Sequence, residues 1–137
     1  VNVQRVYHNF YAIAQLTASF GLTAGFDYAT QQKVKGQSSK NEILSPVLIA
    51  QYKFDTKWAM AGRVEYYEDK NGLFIVTGTP NGFKTMGYSV NLDYAPISNA
   101  VVRLEGKLYD SKDKVFVRDV TSVNQNASIT ASIAVSF

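Results

Sequence analysis

A chain of 137 residues fits one domain, and its formal charge of +3, carried by scattered Lys and Arg, leaves no basic stripe for nucleic acid. The absence of cysteine excludes disulfides and thiolate metal sites. No apolar run is long enough for a transmembrane helix, and Val1-Asn2-Val3-Gln4-Arg5 has neither the basic nor the apolar region of a signal peptide, which fits a mature chain, a cytoplasmic chain or a fragment.

The dominant period is two, so the chain reads as all-β. A first strand is expected over 8–17, and it opens with His8, the single histidine. No Ser or carboxylate partner is evident beside it, so it reads as a rim or girdle residue rather than a catalytic or metal-binding one. The short turn Thr17-Ala18-Ser19 leads into a second strand over 20–32, and the turn formers Lys35-Gly36-Gln37-Ser38-Ser39 separate that from a third over 43–54. Asp55-Thr56-Lys57 then turns into a fourth strand over 58–69. Glu65 and Glu68-Asp69 show neither the spacing of a calcium loop nor a defined acid/base pair, and read as a solvated strand end.

A longer connection follows, with Leu73-Phe74-Ile75-Val76 and the turn-rich Thr77-Gly-Thr-Pro-Asn-Gly-Phe-Lys84. It reads as an ordered loop, with infolding as a constriction or outside contact with a partner as alternatives. A fifth strand over 84–95 and a sixth over 100–111 flank Ala95-Pro96-Ile97-Ser98-Asn99. Val115–Val120 reads as a hairpin extension ahead of a last strand over 125–137. Asn126-Ala127-Ser128 matches a glycosylation sequon by chance. Short turns at one end and long loops at the other make a simple antiparallel meander.

Ascending strands recur after each short turn, as in Phe20–Tyr28, Trp58–Tyr66 and Val102–Tyr109, and each alternates between two faces. One face is apolar. The other carries Asp27, Gln51, Lys53, Arg63, Glu65, Ser89, Asn91, Asp93, Arg103, Glu105 and Lys107. Alternation alone leaves open which face is inside: a soluble barrel encloses the apolar face, whereas a membrane barrel turns it outward.

Three features favour the membrane. Aromatics bracket the apolar face, with Phe20, Phe54, Trp58 and Tyr94 beside the short turns and Tyr28, Tyr66 and Tyr88 toward the long loops. Eight residues of strand span roughly 26 Å, or roughly 20 Å along the normal at a barrel tilt, close to the apolar band between aromatic girdles. The loops are asymmetric. Finally, "ASITASIAVSF" places Ala127, Ile129, Ala131, Ile133, Val135 and Phe137 on one face, with small, mostly hydroxyl residues on the other. That pattern resembles the C-terminal signal of bacterial outer-membrane barrels, and the resemblance implies recognition by the barrel-assembly machinery through Phe137.

The stretches "SPVLIAQYKFDTKWAMAGRVEYYEDKNG", "TGTPNGFKTMGYSVNLDYAPISNAVVRLEGKLYDSKDKVF" and "NASITASIAVSF" resemble the C-terminal part of a family of β-barrel porins of Gram-negative outer membranes. The likeness runs from about Asn9 to the end. It implies one domain or barrel fragment over 1–137, closed by the strand 125–137. Seven strands are an odd count, whereas single-chain bacterial barrels have an even number, so a piece of a larger barrel is expected.

The expected function is passive diffusion of small hydrophilic solutes through a lumen lined by Arg63, Glu65, Asp93, Arg103, Glu105 and Lys107, with cross-strand ion pairs and weak ion selectivity. No enzyme activity, cofactor, metal or nucleic acid is expected; outer-membrane lipid is the expected surroundings, with a homo-oligomer possible. Two alternatives stand: a soluble lipocalin-like barrel holding an apolar ligand, and a non-conducting structural barrel in the outer membrane.

Overall fold

The computed structural model describes residues 3–137 and contains strands but no helix among them. Its long strands are β1 (Arg5–Gln15), β2 (Phe20–Gln32), β3 (Lys40–Lys53), β4 (Trp58–Asp69), β5 (Phe83–Ile97), β6 (Ala100–Ser111) and β9 (Gln125–Val135). They form one antiparallel sheet in the order β1-β2-β3-β4-β5-β6-β9. Two short strands, β7 (Phe116–Arg118) and β8 (Thr121–Val123), pair as a separate hairpin between β6 and β9. All seven expected strands are present. Phe54 falls one residue beyond β3 and Phe137 two beyond β9, so both aromatics project from strand ends.

Local chemistry closes the short turns. The Thr17 hydroxyl accepts the N–H of Ser19 and of Phe20, at 3.2 and 3.0 Å. The Asp55 carboxylate accepts those of Lys57 and Trp58 at 2.7 and 2.8 Å. Each side chain takes donors that the reversing backbone would leave unpaired. These bonds hold the Asp55 carboxyl below its ordinary range. At the third short turn Asn99 joins the last strand: Ser136 N–H donates to its carbonyl and its amide donates to the Ser136 carbonyl, at 2.9 and 3.0 Å.

Register keeps the two faces separate across the sheet. Ala50 pairs with Gly62, Gly62 with Val90, Val90 with Gly106, and Gly106 with Ile129. One step away, Ser89 pairs with Lys107 and Lys107 with Ser128. A slip of one residue would exchange the faces, so hydrophobic patterning and turn chemistry set the register together.

The sheet curls toward its polar face. A hollow of about 290 Å³ touches Ile13 of β1, Thr23 of β2, Ile49 of β3, Arg63 of β4, Asn91 of β5 and Arg103 of β6. In a flat sheet β1 and β6 would stand about 24 Å apart, too far to share one small hollow. The polar face is therefore concave and the apolar face convex. β1 and β9 are unpaired edges running in the same direction, so the sheet forms an open arc consistent with part of a barrel.

Candidate functional site: the concave charged face

The convex face leaves large apolar side chains uncovered, among them Leu48, Val90, Leu92, Leu104, Ile129 and Ile133. Among the described residues, only Ala29 and Ile43 are buried and hydrophobic. A soluble barrel of this length would enclose its apolar residues, whereas here they face away from the hollow. This geometry disfavours the lipocalin-like alternative and suits a sheet whose outer surface meets hydrocarbon.

The aromatics expected as girdles all belong to the convex face. Near the short turns Trp58 packs on its register partner Tyr94, with ring centroids 4.4 Å apart, and Phe20 pairs with Tyr52. Phe54 stands edge-on to Tyr52 at 5.3 Å. Toward the long loops Tyr28 donates its hydroxyl to Glu42 at 2.7 Å, and Tyr66 donates to Glu68 at 2.6 Å. Lys84 meets Glu68 at 2.9 Å, so this upper rim of the convex face is polar. Tyr88 pairs with Val64 and sits lower than Tyr28 and Tyr66, closer to mid-height. His8 also lies on the convex face, opposite Tyr28 and stacked near Phe10, away from the concave charges.

Arg63, Glu65, Asp93, Arg103, Glu105 and Lys107 all stand on the concave face. Their pairing differs from the expected cross-strand network. Only Arg103 and Asp93 pair across strands, as direct register partners joined by two bonds of 2.7 and 2.6 Å. Arg63 pairs with Glu65, and Lys107 with Glu105 at 3.7 Å, each along its own strand. The cause is register: Arg63 faces Ile49 and Ser89, and Lys107 faces Ser89 and Ser128, none of which is charged. The nearest opposite charge is then the same-face residue two positions along. Asn91 supports Asp93 with a bond of 2.8 Å.

A glycine makes room for part of this arrangement. Gly87 lies between Glu65 and Tyr109, and a Cβ there would meet Glu65 Cγ at 2.7 Å and Tyr109 Cε1 at 2.8 Å. The absent side chain lets both neighbours lie across the floor of the concave face.

At the long-loop end, aromatics replace the charges on the same face. Phe83 stands edge-on to Tyr67 at 5.7 Å and to Phe116 at 6.3 Å, and Phe116 stacks near Tyr109 at 6.3 Å. Phe116 belongs to the β7–β8 hairpin, so that loop leans over the concave side. The sequence reading missed this cluster. Its trace was visible as Tyr67, Phe83 and Tyr109 occupying positions in phase with the charged residues.

Comparison with known proteins places this fold. No curated protein and no solved structure matches the chain. A family model described as "Putative beta-barrel porin-2, OmpL-like" matches residues 2–137. The chain belongs to this porin family. Membership agrees with the all-antiparallel sheet, its charged concave face and its apolar convex face. It bears out the resemblance read from the sequence, and it implies an outer-membrane location.

Proposed function

We propose that the protein lets small hydrophilic solutes diffuse passively across the outer membrane, through a lumen lined by Arg63, Glu65, Asp93, Arg103, Glu105 and Lys107. The carrying observation is the division of faces, with ion-paired side chains on the concave side and an uncovered apolar surface on the convex side. Water can follow the first surface and lipid can solvate the second. The reading involves neither catalysis nor a cofactor. It includes assembly through the last strand and Phe137, and it allows a homo-oligomer.

Asp27, Glu65, Asp93 and Glu105 balance Lys53, Arg63, Arg103 and Lys107 on this face, so ion preference should be weak. The test is reversal potential in planar bilayers with the intact protein. Arg63→Glu combined with Arg103→Glu should shift preference toward cations. Unchanged reversal potentials in a conducting protein would remove these residues from the lumen wall. A wild type that never conducts would favour the structural-barrel alternative.

A further inference from the structure

The segment between β4 and β5, residues 70–82, does not project away from the sheet. Ile75 closes a cavity of about 310 Å³ whose other walls include Arg63, Glu65, Tyr67, Thr85 and Tyr109, all on the concave face. Phe74 lies under the Arg5 guanidinium, 4.6 Å from its carbon to the ring centroid. Arg5 is on β1, three strands from β4, so the segment reaches about 14 Å across the curl.

Burial agrees. The buried residues Ala29, Ile43, Asp69, Thr85 and Ser111 occupy concave-face positions at this end of the strands.

The segment is anchored at both ends. Asp69 is fully buried, and its carboxylate accepts the N–H groups of Leu73, Phe74 and Ile75 at 2.8, 2.7 and 2.9 Å. Asn81 donates its backbone and side-chain N–H to Asp113 at 2.8 and 2.9 Å, which ties the segment to the next long loop. Between the anchors, Phe74, Ile75 and Val76 remain exposed. They form an apolar lip beside the aromatic end of the concave face.

Resting on the porin reading, we infer that residues 70–82 form a fixed infolded constriction, and that it selects small uncharged polyhydroxylated solutes over ions of similar size. An ion passing the Ile75 and Val76 side chains gives up hydration against apolar surface. A neutral ring loses less there. Below the lip it meets aromatic walls for its C–H faces, the Arg63–Glu65 pair for its hydroxyls, and the buried Thr85 hydroxyl, which has no partner among the described residues. The cavity volume is at the small end for ligand sites, which suits one ring.

The experiment uses the intact protein in proteoliposomes and planar bilayers, with glucose and gluconate as probes. Wild type should pass glucose faster than gluconate. Combined Phe74→Ser, Ile75→Ser and Val76→Ser should raise salt conductance about two-fold or more and bring the two solute rates together. A conducting wild type with both properties unchanged in the variant overturns the inference.

Placement is read separately by Ile75→Cys on whole cells, since this stretch of chain has no cysteine of its own. A small thiosulfonate should react, and a polymer-linked maleimide should not. Equal reaction with both puts the segment outside the hollow and also overturns the inference. A wild type that neither conducts nor passes glucose refutes the porin reading and the selectivity role with it, while the labelling pattern still reports where the segment lies.

Discussion

Val90→Lys tests which face meets lipid. Val90 pairs with Gly62 on one side and Gly106 on the other, and it is 57% exposed on the convex face. Gly62 lies four residues from Trp58 and four from Tyr66, so Val90 sits midway between the two aromatic levels. Four residues correspond to about 13 Å of strand, or roughly 10 Å of depth at barrel tilt, which places the site near the bilayer midplane. A lysine there should destabilise the inserted barrel by about 2–4 kcal/mol. At tenfold per 1.4 kcal/mol, that is a roughly 30- to 700-fold loss in the folding equilibrium. Gln51→Lys, next to Ala50 in the same register row but exposed on the concave face between Gly21 and Ala61, should cost less than about 1 kcal/mol, because its ammonium reaches water. The assay is urea-dependent folding of the intact protein into lipid vesicles, followed by the electrophoretic shift between folded and unfolded forms. Tolerance of Val90→Lys together with failure of Gln51→Lys would show that the faces are inverted.

Three further outcomes follow from the anchored loop. Gly82 has φ of 66°, and a Cβ there would meet the backbone oxygens of Asp69 and Lys70, so Gly82→Ala should destabilise the β4–β5 connection by more than about 1 kcal/mol; faster amide exchange over residues 70–82, with the strands unchanged, is the expected signature. Asp69→Ala leaves three N–H donors without their carboxylate and should cost about 2 kcal/mol, read as early proteolysis between Leu73 and Val76; resistance equal to wild type would refute the anchoring role. The Asn81 bonds hold the Asp113 carboxyl below its ordinary range, so the inter-loop tether should be complete at neutral pH, persist through the unfolded value near 3.8, and weaken only as pH falls through the lower folded value. Exchange rates at Asn81 that already rise near pH 5 would contradict that sign.

The sequence by itself determined the strands, because period-two alternation and turn chemistry are local properties. It also carried the register in latent form: once Trp58 meets Tyr94 and Gly62 meets Val90, every neighbouring pair follows. Arg63, Glu65, Asp93, Arg103, Glu105 and Lys107 could be assigned to one face for the same reason. Alternation has no sign, however, so which face is concave was decided by curvature, a property of all the strands together. Ion pairing was likewise undecided, because residue spacing cannot say that Lys107 lies opposite serines. The infolding of residues 70–82 was the least legible feature. Leu73–Val76 reads as an apolar loop in any setting, and its place depends on contacts far off in sequence: Arg5 under which Phe74 lies, Asp113 holding Asn81, and the aromatic floor that Ile75 covers.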